Sequence, residues 1–373
     1  MELKTKKQYT YLIYPYVVDE KKYDDYLLKL LKDKRIKLKI WNKENDLNIY
    51  TYFLPEIREK LFWQFSYNRE KIKQLNEVNN EFRAKILSKY EMTTFEYCLD
   101  TKIQAKIGDN NIFLFDVDKI EIICFKTGIC FILLKTSLGK EIDISDVLEF
   151  NNKFRTIYSN FITMEDEKIK VQTDNLKEIT DLYSIVKNII GTYKDAKDLK
   201  ILEERILPYT YICLNEDKWN NEFNQNLKES FIKIYKVLLN DEKDVNIDNY
   251  NDEIIELSEF LKVGFSKQGT GIISSNIKPE NSLKTPYIFE QEYLYTYILA
   301  LYKDLYLNKL SGEYQKTKKF DKIKEKLERF SLDIWIKPVT KEKRGLMLNT
   351  KWEDTLQIQY KYEKLKIDMT LKK

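Results

Sequence analysis

The sequence predicts an α+β fold: an N-terminal mixed or antiparallel sheet with covering helices, followed by a mainly helical region with long helices. Three observations predict it. Short β-branched and aromatic runs recur early, Tyr9 to Val18 and Ile129 to Thr136 being the plainest. Helical spacings of three and four residues lie between and after them. Pro286 to Leu310 is apolar on nearly every side, and a helix dressed that way must be enclosed by protein. At 373 residues the chain exceeds one small core. Its expected parts are an α+β sheet domain over 1–160, a mainly helical domain over 161–335 with a central helix at about 286–310, and a C-terminal amphipathic segment over 336–373.

Taken in order, Tyr9 to Val18 reads as a strand, and Asp19 caps a helix through Leu31. Arg35 to Trp41 and Asn48 to Phe53 read as strands, and Pro55 opens a helix to about Phe65. Ile72, Leu75, Val78, Phe82, Ile86 and Leu87 mark one amphipathic helix over Glu70 to Tyr90. Thr93 to Leu99, Asn111 to Phe115, Lys119 to Phe125 and Ile129 to Thr136 are strands, the last two joined by a turn at Lys126-Thr127-Gly128. A helix over Ser145 to Tyr158 follows, and helices are expected on one face of the sheet.

Past residue 163, Leu176 to Ile190 reads as helix and Tyr209 to Cys213 as strand. Asn224 to Leu239, Asp252 to Leu261, Pro286 to Leu310 and Tyr314 to Phe330 read as helices. Phe320, Ile323, Leu327 and Phe330 form a coiled-coil-like seam, a route to a homo-oligomer. At the C-terminal end, Leu356, Ile358, Tyr360 and Tyr362 alternate as in a strand. Ile358, Tyr362, Leu365 and Met369 equally mark a helix face, and propensity does not decide between them.

Composition excludes several functions. With 64 basic and 60 acidic residues the net charge is +4, not the footprint of a direct nucleic-acid binder. There is no histidine, so no Ser-His-Asp or Cys-His site can be built within the chain. Cys98, Cys124, Cys130 and Cys213 lack metal-ligand spacing and read as buried thiols in a cytoplasmic setting. The most apolar run, Ile120 to Leu134, is interrupted and too short for a bilayer. No catalytic constellation is visible, so the reading is of a non-enzyme without a cofactor.

Gly269-x-Gly271 is the phosphate-loop candidate, read as a flexible loop, although it lacks the lysine ending of a P-loop and the third glycine of a dinucleotide fingerprint. Its exposed backbone donors, with Lys267, Thr270, Ser274 and Ser275, would grip an anion. Phe265 and Tyr287 offer ring faces beside it. The plain alternative is a connection between helices. Glu203-Glu204-Arg205-Ile206 either holds Mg²⁺ or, through Arg205, pins two domains together; Arg205 is also the outside candidate to reach the anion.

Three stretches carry a family resemblance. Ile120 to Tyr158, with its Lys126-Thr127-Gly128 turn and the helix entry Asp146-Val147-Leu148, is one. Glu203 to Ile206 is the second, and Gly269-Thr270-Gly271 through Leu310 is the third. Together, over roughly residues 110–335, they resemble a divergent CorA-like family of the magnesium-channel superfamily. Members of that family continue into two transmembrane helices with a Gly-Met-Asn signature, both lacking here. The resemblance therefore implies either a soluble member or, as the preferred reading, the cytosolic region of a membrane effector, homo-oligomeric and reaching the membrane through a segment outside this sequence. Relatives associated with type III CRISPR antiviral systems imply a nucleotide second messenger as ligand, such as an S-adenosylmethionine–AMP conjugate. The alternative implied is the regulatory domain of a divalent-cation transporter, sensing Mg²⁺.

Overall fold

A computed structural model describes residues 3–98, 103–105, 115–155, 171–173, 176–180, 200–201, 206–215, 236, 253–316, 320–335 and 338–370. The expected α+β fold is present, and its centre is one large mixed sheet. β1 (Thr5–Val17) is followed by β2 (Ile36–Leu38), β3 (Met92–Tyr97), β4 (Ile103–Ala105), β5 (Asp116–Phe125) and β6 (Ile129–Ser137). Then come β7 (Val171–Thr173), β8 (Leu176–Thr180), β9 (Lys200–Ile201), β10 (Leu207–Leu214), β11 (Ile254–Ser258), β12 (Leu261–Ser266) and β13 (Gly269–Ser275). The large sheet runs β11-β12-β13-β10-β1-β6-β5-β3-β2, with β9 also pairing to β1, while β4, β7 and β8 form a separate small sheet. Among the described residues of the large sheet, only β10 and β13 pair in parallel.

Strands β1, β5 and β6 are buried on both sides because successive side chains point to opposite faces and both faces are covered. Tyr9, Tyr11 and Ile13 of β1 join one core and Leu12, Tyr14 and Tyr16 the other. Helices were expected on one face; they cover both. On the Leu12 side lie α1 (Tyr23–Lys32) and, beyond α2 (Leu47–Tyr52), α3 (Pro55–Leu61) and α4 (Arg69–Glu77), the helices α5 (Asn80–Leu87) and α6 (Ile144–Arg155). The Tyr11 side receives α2, α3 and the long C-terminal helices.

Those C-terminal elements are α7 (Glu280–Leu283), α8 (Thr285–Ile288), a π-helical turn (Phe289–Tyr293), α9 (Leu294–Lys316), α10 (Phe320–Asp333), α11 (Lys343–Thr355) and α12 (Ile358–Thr370). Every residue from Tyr293 to Leu307 is buried. The sheet flanks α9 on one side, and α10, α11 and α12 close around the other. This explains why α9 has no polar face as far as Leu307: that stretch has no solvent side to place one on. Each fully buried large apolar side chain there contributes roughly 1.5–3 kcal/mol.

Several local expectations are corrected. Asn48 to Phe53 is helical, not a strand, because burying Ile49 and Tyr52, three apart, fixes a helical face. The single helix expected over 70–90 is two, since the Asn79 side chain accepts from Phe82 N at 2.8 Å and caps a new start. Leu176 to Thr180 is strand β8; the rest of the helix expected there lies outside the described residues, as do Asn111 to Leu114 and all of Asn224 to Leu239 except position 236. Asp252 to Leu261 holds strand β11, because Leu261, Val263 and Phe265 of its partner β12 alternate inward with period two. The C-terminal ambiguity resolves as helix α12, with Ile358 and Leu365 buried and Tyr360 outward. The Ile323, Leu327 and Phe330 seam is buried in the chain's own core, Phe330 lying 5.0 Å from Tyr306 ring to ring, so it is not open to a second copy. Among the described residues, no helix is long and apolar enough to cross a membrane.

Candidate functional site

The Gly269 segment is not a flexible loop. Residues Gly269 to Ser275 form strand β13, paired to β10 on one side and β12 on the other, and all seven are buried. Apolar Ile272 and Ile273 at its centre face the two cores of the sheet, which locks the strand in place. Its hydroxyls are committed to the fold. Thr270 Oγ1 donates to the Gly264 carbonyl at 2.6 Å and accepts from the Trp352 indole at 3.3 Å. Ser274 Oγ donates to the Ile212 carbonyl at 3.2 Å and shares a 2.9 Å hydrogen bond with the Tyr211 hydroxyl. Ser275 Oγ accepts from Ile277 N at 3.2 Å.

The remaining predicted residues do not converge either. Ser274 lies four residue steps along the strand from Thr270, which at a strand's rise is about 13 Å. Phe265 packs against Trp352 at the Thr270 end. Lys267 is exposed in the turn before β13, near the Asp304–Lys361 ion pair; burial pushes the Asp304 carboxyl up, and Lys361 and Lys267 pull it back. Tyr287 is exposed at the opposite end, with Lys7 5.2 Å from its ring centre. Arg205 lies outside the described residues. Cys124, Cys130 and Cys213 are buried free thiols and Cys98 is half-buried and free, although Cys124 and Cys130 are cross-strand partners.

A different place is open. Where β1 ends, the chain turns through Asp19 and a 3-10 turn (Glu20–Lys22) against α9 and α10, leaving a groove of about 620 Å³. Six basic and four acidic side chains line it, with only Val17 and Val18 apolar. The volume suits a small molecule, but a lining this charged suits a multiply charged one. A crevice of about 40 Å³ continues from it toward Thr127, Tyr302 and Tyr306, sharing Glu20, Lys326 and Arg329, and is large enough for a few waters only.

Lys326 is the electrostatic centre of the groove. Its ammonium lies 3.0 Å from Glu20 and 3.1 Å from Glu313. Burial opposes its charge, but the two carboxylates outweigh burial and hold its pKa above the ordinary lysine value. Lys309, one turn before Glu313, donates to the Thr127 carbonyl at 2.8 Å, and burial pushes its pKa down despite the same two carboxylates. Arg329 pairs with Glu325 at 2.9 Å and lies on the rim. Lys322, Lys326 and Arg329 step by four and three along α10, each one position before a residue of the apolar seam, so the basic stripe borders it. That stripe was available in the sequence, but lysine is abundant throughout, and nothing local showed that Glu20 would meet it.

A search of family models, of curated proteins and of solved structures finds nothing that matches this chain.

Proposed function

We propose that this chain is a binding module and not an enzyme: the ligand-sensing, cytosolic part of a CorA-like membrane effector in antiviral defence. Its ligand in this reading is a nucleotide second messenger, such as an S-adenosylmethionine–AMP conjugate. The observation that carries the reading is the roughly 620 Å³ groove with six basic side chains, three of them on one stripe of α10. A phosphate-bearing ligand would meet Lys309, Lys326 and Arg329 there, and Lys21, Lys22 and Lys322 nearer the mouth. The family assignment rests on the sequence resemblance, and homo-oligomerisation and membrane attachment belong to the same proposal.

Calorimetry of the purified chain with the conjugate, with ATP and with MgCl₂ alone tests it. Losing one charge-assisted contact should cost about 1.5–3 kcal/mol, so Lys326→Gln should weaken messenger binding by roughly tenfold to a hundredfold. Messenger binding untouched by both Lys309→Gln and Lys326→Gln would move the site elsewhere. The cation-sensing alternative draws on Glu292, whose carboxyl is raised to about 7 by burial and then by the nearby Glu342 carboxylate. Saturable Mg²⁺ binding lost in Glu292→Gln, with no nucleotide response, would favour it.

A further inference from the structure

Lys326 is bridged by carboxylates from two unlike places. Glu313 belongs to α9, whose backbone is embedded between the sheet and the outer helices. Glu20 belongs to a three-residue 3-10 turn in which no residue is buried. The turn is tied to the body at its start, where Val18 N donates to the Gly128 carbonyl at 2.8 Å, and Lys22 N bonds back to the Asp19 carbonyl at 2.9 Å. The Glu20–Lys326 pair links the turn to α10.

Glu20 also stands in the right position to matter. It lines both the wide groove and the crevice beneath, at the boundary between them. Its carboxylate offers a single negative charge to a place where Lys309, Lys326 and Arg329 gather. A phosphate group offers more charge and three acceptor oxygens to the same donors, and charge-assisted bonds of that kind are the stronger ones. Either carboxylate can swing off Lys326 by side-chain rotation, but Glu20 sits on a short exposed turn that loses this tie to α10, whereas Glu313 sits on a long helix held by its other packing.

Resting on the reading of the groove as the ligand site, we infer that Glu20 is a built-in competitor for that site: a phosphate group of the ligand takes its place on Lys326, and the Glu20 turn is thereby released from α10. No covalent step is involved. Because coupling is reciprocal, whatever loosens the Glu20 turn tightens ligand binding, and binding loosens the turn. Free polyphosphate and a nucleotide share this chemistry, and the two are separated by using both as probes.

The test is calorimetry of the full chain with inorganic tripolyphosphate and, separately, ATP, alongside amide hydrogen exchange. Glu20→Gln should tighten binding of at least one probe by about twofold to fivefold, the size of one surface charge contact removed from competition. It should also speed exchange over residues 19–22 and the α10 segment in the unliganded protein, as the probe does in the unaltered chain. Lys326→Gln should weaken binding and erase the gain when combined with Glu20→Gln. Binding that needs Lys326 but is unchanged by Glu20→Gln, with unchanged exchange, overturns the competitor role and leaves the groove reading standing. Binding of neither probe to any of these proteins overturns both. ATP binding without tripolyphosphate binding assigns the site to a nucleotide; the reverse assigns it to a free polyphosphate.

Discussion

Lys303 donates to the Glu353 carboxylate over 2.7 Å in a place that solvent does not reach, joining α9 to α11 inside the helical layers. The ammonium also lies 5.8 Å from the centre of the Trp335 ring. A buried pair is costly to desolvate, and it is costlier still to break, because one charge is then left without its partner. It also sets the register of α11 on α9, since no neighbouring turn of the apolar α9 offers a second ammonium at that depth.

Glu353→Ala should therefore destabilise the chain by about 3–5 kcal/mol, read from urea denaturation midpoints and slopes. The double change Lys303→Met with Glu353→Leu should recover most of that loss, because neither charge remains to be stranded. A double variant as unstable as the single one would show that the pair contributes net stability and not only register.

Glu121 of β5 is another buried charge, and it is well compensated. Lys39 lies 2.9 Å away, Lys119 3.1 Å, and the Tyr295 hydroxyl donates at 3.0 Å. Burial raises its pKa, but the two ammonium groups dominate and bring it down to about 2 from 4.5. A depressed carboxyl contributes stability that is complete above the unfolded value and is lost as pH falls from 4.5 toward 2. Denaturation followed between pH 6 and pH 2.5, endpoints chosen to bracket the unfolded value, should show this loss, and Glu121→Gln should remove its share of the slope while lowering stability at neutral pH.

Much of the frame was readable in the sequence for a physical reason. β1, β5 and β6 are largely apolar on both faces and bounded by turn residues, and α9 is almost wholly apolar as far as Leu307 because that stretch is enclosed. Pairing was not readable. β10 lies against β1 through Tyr9–Tyr211 and Thr10–Thr210, about two hundred residues apart, and no local pattern records that. Thr270, Ser274 and Ser275 looked like free donors because their partners, the Gly264 and Ile212 carbonyls and the amide of Ile277, are backbone groups. The groove was hidden differently: Glu20, Lys309, Glu313 and Lys326 come from three elements, so only folding places them together.

Glu292 should behave oppositely to Glu121. Burial and then Glu342 push its carboxyl up from 4.5 to about 7. With the folded value above the unfolded one, its contribution is present at low pH and lost as pH rises from 4.5 through 7. The groups facing it include Tyr52 and Tyr293, whose hydroxyls are themselves raised by burial and by these carboxylates. Glu292→Gln should thus flatten the decline in stability between pH 5 and pH 8, a range chosen around the raised value, and make the chain more stable than the parent at the alkaline end. Thermal melts in low salt at both pH values read it directly; a variant that melts in parallel with the parent at each pH would contradict the assignment.

Two glycines separate backbone strain from close packing. Gly128 ends the β5–β6 turn at φ +82°, and a Cβ there would come within 2.2 Å of the Val18 carbonyl oxygen. Gly139 has φ +100°, but a Cβ there would meet nothing within 4 Å. Gly139→Ala should then cost only the left-handed backbone penalty, about 1–2 kcal/mol. Gly128→Ala carries that penalty plus an overpacking cost of about 1–3 kcal/mol. It should also push Val18 outward, stretching the Val18 N–Gly128 O bond at the root of the Glu20 turn, while the neighbouring Thr127 carbonyl that receives Lys309 is disturbed. Denaturation should rank Gly128→Ala well below Gly139→Ala, and hydrogen exchange should rise over residues 17–22 in the first variant alone. Equal losses in the two variants would mean that the hairpin turn relaxes away from Val18 and does not support the groove wall.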